Sequence, residues 1–205
     1  ERLRPHRGFD RAAHGRIPFD TGVHGHRGIP AAERDFDRQG ELPALKAALR
    51  QPARLVILES PANPTLKLTD IGACASIARQ HGALVVVDNT FLGPLWQRPL
   101  EHGADLIIYS ATKYIGGHGT TMGGIVVESG KVDWGNGKFP EFTTPSPGYH
   151  GVIFHETFGD FGFTMKARME IMRTFGPALA PLNAWLLLQG LESLHVRMDR
   201  HCANA

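Results

Sequence analysis

From Leu42 onward, apolar runs of strand length alternate with segments of helical spacing, and this rhythm predicts the elements. Arg54-Leu-Val-Ile-Leu58, Leu84 to Val87, Leu106 to Tyr109 and Gly124 to Val127 are short runs dominated by Val, Ile and Leu, and they predict four strands. Lacking polar alternation, they are expected to be covered on both faces, as in parallel α/β sheets. Pro43 to Arg50 predicts a short helix. Thr69 to His81 predicts a longer one, with Thr69 or Asp70 as N-cap and Gly82 as C-terminal stop. On that helix Cys74 shares a face with Ile71, Ala75 and Ala78 and reads as core. Beyond the fourth strand, Lys131 to Gly162 is rich in Gly, Pro, Thr and aromatics and predicts an ordered loop. Helical spacing returns over Phe163 to Phe175 and from Leu179 to the end. There Leu182, Trp185, Leu186, Gln189, Leu191 and Leu194 form an apolar stripe interrupted by Gly190, read as core or subunit contact. The expected class is α/β, a mostly parallel sheet flanked by helices.

Residues 1 to 40 break this pattern. They carry Arg2, Arg4, Arg7, Arg11, Arg16, Arg27, Arg34 and Arg38 and no lysine, with His6, His14, His24 and His26 among scattered glycines and prolines. His24-Gly-His26 lacks a carboxylate or cysteine at ligand spacing, so no metal site is expected. Such a composition is what a shifted reading frame of GC-rich coding DNA yields; a disordered basic arm is the competing account. Over the whole chain, 205 residues with 42% hydrophobic content suffice for one sizeable core, and a net charge of +2 gives no argument for nucleic acid or an acidic membrane surface. Only Cys74 and Cys202 occur, no leader precedes a cleavage site, and the apolar runs are too short to span a bilayer. A reduced, cytoplasmic protein is expected.

Candidate chemistry gathers at the predicted strand ends, where open α/β sheets bind ligands. Asp88 directly follows Val85-Val-Val87, and a carboxylate there can pair with a protonated pyridine nitrogen; equally, it can be a simple turn or cap residue. Lys113 lies just beyond the third strand, with Ser110 and Thr112 at positions minus three and minus one. An amine placed there suits a carbonyl cofactor, and the hydroxyls suit its phosphate, which together outline a pyridoxal phosphate site. The alternative for Lys113 is an ordinary solvated side chain. Gly116, Gly117 and Gly119 are expected to let backbone approach a ligand, or to be only a flexible turn. Tyr114 suits either stacking on a cofactor or simple packing, and His118, His150 and His155 are expected to be loop hydrogen-bonders.

Ser110-Ala-Thr-Lys113-Tyr-Ile-Gly-Gly-His118, Val87-Asp88-Asn-Thr90 and Glu59-Ser-Pro-Ala-Asn63-Pro64-Thr together resemble the Cys/Met-metabolism pyridoxal phosphate enzymes of fold type I, from about Glu41 to the C-terminus. The resemblance implies that Lys113 holds the cofactor and shuttles protons and that Asp88 pairs with the pyridine nitrogen. It further implies that Ser110 and Thr112 bind phosphate, that Asn63 lies near the phenolic oxygen and substrate carboxylate, and that Thr90 lies close to the ring. Asp133-Trp-Gly-Asn-Gly-Lys-Phe139 and Thr144-Pro-Ser-Pro-Gly-Tyr-His150 look like the insertion of the O-acetylhomoserine sulfhydrylase branch, as do Pro181 to Glu192 and Arg197 to Asn204. That branch implies γ-replacement, in which sulfide or a thiol displaces acetate from O-acetylhomoserine to give homocysteine or a thioether. Cystathionine γ-synthase, cystathionine γ-lyase and methionine γ-lyase activities are the alternatives. The partners implied are an amino-acid substrate and a sulfur donor, with homo-oligomeric full-length relatives.

The family's glycine turn for phosphate, its ring-stacking tyrosine and its Tyr-x-Arg segment have no match in residues 1 to 40, and its substrate-carboxylate arginine belongs to a C-terminal domain. The chain is therefore expected to be a fragment of the large domain. In this division 1–40 is irregular, 41–177 is the cofactor-binding α/β core, and 178–205 begins the helix towards a further domain. Weak cofactor binding and no turnover are expected of it alone.

Overall fold

The computed structural model describes residues 42–204. The irregular segment 1–40 and its histidine pair lie outside the described residues. Helix α1 spans 42–48, and β1 (Leu55–Glu59), α2 (Ile71–Gln80), β2 (Leu84–Asp88), the short α3 (Gly93–Trp96), a 3-10 turn (Pro99–His102) and β3 (Leu106–Ser110) follow. Next come β4 (Gly124–Glu128), α4 (Pro140–Thr143), α5 (Phe154–Phe158), α6 (Gly162–Lys166), a π-helical stretch (Ala167–Met172), α7 (Arg173–Phe175), α8 (Pro181–Glu192) and α9 (Leu194–Asn204). Helix α2 starts where Asp70 accepts the Ala73 amide at 2.8 Å, and Gly82 follows it with φ +67°, a conformation glycine adopts without strain.

The sheet order is β1-β2-β3-β4; the first three strands are parallel and β4 is antiparallel to β3. Val87 is in register with Leu58 and Ile107, and Ile107 with Val127, so alternate residues of all four strands share one face. On that face Val56, Val85 and Val87 pack with Ile71, Ala75 and Ala78 of α2, while Ile107 and Tyr109 pack with Leu187, Leu194 and Met198 of α8 and α9. The expectation of strands covered on both faces holds for the central strands, since Val86 and Leu106 on the other face are buried as well. It fails on that face at the outer strands, where Ile57 of β1 is 65% exposed and Val126 of β4 58% exposed.

Two further expectations change. The segment predicted as loop contains short helices and a third apolar cluster of Val132, Trp134, Phe139, Phe142 and Phe154, against which Leu84 also packs. Trp134 stacks on Phe142 and Phe163 at 4.6 and 5.4 Å between ring centroids, and its indole N–H donates to Glu128 of β4 at 2.8 Å. Of the predicted stripe Leu194 is buried and Leu186 half-buried, whereas Leu182, Trp185 and Leu191 are exposed in the single chain and Leu187 and Gly190 of α8 face the core instead. Residues 184–188 are all apolar, so spacing alone could not choose the face.

Candidate functional site

Parallel register sets the ends of β2 and β3 side by side, with Asp88 opposite Ile108. Alternation then puts the side chains of Asp88 and Ser110 on the same face. Asp88 is half-buried, and its Oδ1 accepts the Thr90 amide at 3.0 Å, while Thr90 Oγ1 accepts the Ser110 amide at 2.8 Å. The two strand ends are thereby joined through one threonine. Asp88 Oδ2 and the Ser110 hydroxyl have no protein partner among the described residues, so both remain available to a ligand.

The connection from β3 to β4 carries Thr112 and Lys113. Thr112 Oγ1 lies 3.1 Å from the amide of Gly123, which donates to it, and 3.3 Å from the Gly123 carbonyl, to which it can donate. The start and finish of the connection are thus fastened together. The Lys113 amide donates to Ser110 O at 3.1 Å and the Gly117 amide to Lys113 O at 2.8 Å, so one helical turn follows the strand. Lys113 itself is exposed and forms no ion pair among the described residues. Asn63 lies four residues past β1, beyond the same edge of the sheet; it is exposed, and no hydrogen bond joins it to the other candidates. The structure therefore brings five of the six candidates into one linked cluster of strand ends and leaves Asn63 apart.

Beneath this cluster lies a buried polar network that sequence reasoning missed. Asn89 is 0% exposed. Its Nδ2 is within hydrogen-bond range of Gly93 O (2.9 Å), Gln97 O (2.8 Å) and the Tyr109 hydroxyl (3.2 Å). Gln97 Nε2 donates to Asn89 Oδ1 at 2.8 Å and to Ser60 O at 2.7 Å, which ties the segment after β1 to the loop after β2. Burial pushes the Tyr109 phenol above its ordinary value, with the Asn89 contact opposing it. The available signal was an amide residue between two polar strand-end residues, Asp88 and Thr90, in an otherwise apolar context.

The glycines after Lys113 serve packing more than ligand approach. A Cβ at Gly116 would lie 3.0 Å from Ala111 O and 3.1 Å from Leu187, and one at Gly117 would run into the Arg197 guanidinium; at Gly119 the space is open. Tyr114 meets Phe91 and His201 edge-on at 6.5 and 5.5 Å, which favours its packing role. His118 Nδ1 is 2.7 Å from Gly116 O, as a loop hydrogen-bonder should be, whereas His155 sits in α5 with a buried Nδ1 that has no partner among the described residues. Among the described residues no group of three or more His, Cys, Asp or Glu could hold a metal ion, and no helix is long and apolar enough to cross a membrane.

Residues 30–205 match the profile of the family described as Cys/Met metabolism PLP-dependent enzyme. The chain is 43% identical over 178 residues to the O-acetyl-L-homoserine sulfhydrylase of Leptospira meyeri, covering 83% of this chain and 40% of that protein. It is 46% identical over 164 residues to the homocysteine synthase of Schizosaccharomyces pombe, covering 78% and 38%. Among solved structures, a putative O-acetylhomoserine (thiol)-lyase from Campylobacter jejuni, which contains N'-pyridoxyl-lysine-5'-monophosphate, matches with a TM-score of 0.70 and 36% identity, covering 76% and 39%. The chain thus spans about 40% of the length of these relatives.

Proposed function

Because the chain belongs to the Cys/Met metabolism PLP-dependent enzyme family, we propose that it is the cofactor-lysine portion of an enzyme performing γ-replacement on O-acetylhomoserine. Sulfide or a thiol would enter, and homocysteine or a thioether would leave with acetate. The observation that carries this proposal is the hydrogen-bonded link from Asp88 through Thr90 to Ser110, with Lys113 one turn beyond.

The donor set fits pyridoxal phosphate. Asp88 keeps one carboxylate oxygen free while the other is held by a backbone amide, which fixes the group for a protonated ring nitrogen. The free hydroxyl of Ser110, with Thr112 two residues on, suits a phosphate. When bound, the cofactor supplies a carbonyl for an amine and a sink for charge developing at a substrate carbon. Lys113 Nζ would be the amine that holds that carbonyl and, when free, the base placed to move a proton. Thr90 aligns the two strand ends, and Asn63 is assigned to the substrate side of the cofactor, reached by its loop.

Borohydride trapping of pyridoxal phosphate followed by peptide mapping tests this proposal. Labelling centred on Lys113 and lost in Lys113→Ala is expected. Labelling spread evenly over the exposed lysines would refute it. Assay of sulfide-dependent acetate release, with cystathionine and methionine as competing substrates, separates γ-replacement from γ-synthase and γ-lyase chemistry. Since the chain spans about 40% of its relatives' length, the isolated 205 residues are expected to capture cofactor weakly and not to turn over. Robust turnover would overturn that expectation.

A further inference from the structure

We infer that Arg197, on the last helix, is a positioning residue that clamps the turn carrying Lys113 and thereby sets how the amine is presented; this rests on Lys113 being the cofactor lysine. The turn closes through the Gly116 amide on Ala111 O and the Gly117 amide on Lys113 O, both at 2.8 Å. Among the described residues no backbone amide reaches the carbonyls of Tyr114 and Ile115, which stand at its C-terminal end. The Arg197 guanidinium supplies the missing donors, with Nη1 giving to Tyr114 O at 2.8 Å and Nη2 lying 3.3 Å from Ile115 O. The same Nη2 gives to Gly190 O at 2.6 Å and Nε to Ser193 Oγ at 3.1 Å, so one planar fork joins the turn to α8 and to the residue between α8 and α9. A cation at this end of a helical turn is also favoured by the turn's dipole.

Two glycines make the clamp sterically possible. At Gly117, with φ +72°, a Cβ would occupy the place of the guanidinium. At Gly190 a Cβ would strike the carbonyls of Gly116 and Ile115, so only glycine lets α8 lie directly on the turn. Lysine could keep the charge at position 197 but could not serve three carbonyls in one plane.

Arg197→Ala and Arg197→Lys test the clamp through two readings. Amide hydrogen exchange at Gly116 and Gly117 should quicken roughly tenfold or more in both variants, while the β1 to β3 amides stay protected. Trapping of pyridoxal phosphate on Lys113, measured against Lys46 and Lys131 in the same chain, should fall by a similar factor and recover in Arg197→Ala when methylguanidinium is added. A structural contribution alone would lower protection throughout the sheet and reduce Lys113 labelling only in step with the folded fraction. Unchanged exchange at Gly117, wild-type trapping at Lys113 in a folded variant, or losses that merely follow global unfolding would overturn the inference. If wild-type Lys113 is labelled no faster than Lys46, the cofactor proposal fails instead, and the exchange measurement decides the clamp.

Discussion

Asn89→Ala probes the network beneath the strand ends. The side chain is fully buried, and its amide touches Gly93 O, Gln97 O and the Tyr109 hydroxyl while its carbonyl receives Gln97 Nε2. Truncation leaves the Gly93 and Gln97 carbonyls without this donor, although Gln97 Nε2 keeps Ser60 O. Each buried polar group left unsatisfied costs about 1–3 kcal/mol. With two carbonyls affected and partial relaxation, the expected loss is about 2–4 kcal/mol, at the upper end for a point substitution. Urea unfolding followed by far-UV circular dichroism reads it as a lowered midpoint with an unchanged slope. Gln97→Ala and the double variant complete a cycle, in which the pair should lose less than the sum of the single losses because they share one network. A loss below about 1 kcal/mol for Asn89→Ala, or strict additivity with Gln97→Ala, would refute the reasoning that the network is shared and dry.

Gly190→Ala should destabilise the chain by about 2 kcal/mol or more, because the new methyl meets backbone carbonyls that cannot rotate away; thermal unfolding that matches wild type would contradict this. Thr90→Val removes the acceptor of the Ser110 amide and should cost about 1 kcal/mol and slow cofactor trapping on Lys113, while Thr90→Ser stays near wild type on both measures. Glu170 is held below its ordinary 4.5: burial opposes the shift, but Lys166, 2.6 Å away, and the Ser146 hydroxyl outweigh it. A depressed carboxylate contributes stability that is present above 4.5 and lost as pH falls through the lower folded value. Glu170→Gln should therefore flatten the acid limb of the stability curve, and an unaltered limb would show that Glu170 contributes nothing there.

The strands were legible because each is a short apolar run with a polar residue just past it, and the candidate site was legible as a place because Asp88, Ser110, Thr112 and Lys113 stand at those ends. Periodicity failed where every position is apolar, as over residues 184–188, since burial there is decided by where Gly190 permits contact. It failed again over Lys131 to Gly162, where single aromatics spaced irregularly, Trp134, Phe139, Phe142 and Phe154, meet only after the chain has folded back. The antiparallel direction of β4 and the exposure of the outer strands on one face depend on which segments land where, and a run of Val and Ile does not encode that.

The atoms proposed to do chemistry and the atoms that hold them still have different origins in the chain. Asp88, Thr90, Ser110 and Lys113 come from two neighbouring strand ends and are ordered by short links. Their fixity comes from afar: Gln97 reaches back 37 residues to Ser60, and Arg197 reaches back 83 residues to Tyr114. A motif read locally therefore reports the chemistry a segment can offer, whereas the rigidity that makes an amine reactive at one point in space depends on contacts formed only when distant helices dock. On the role proposed for Lys113, a substitution at Gly190 or Arg197, which meet the turn behind it, would leave every residue of the local lysine motif in place and still blunt its amine.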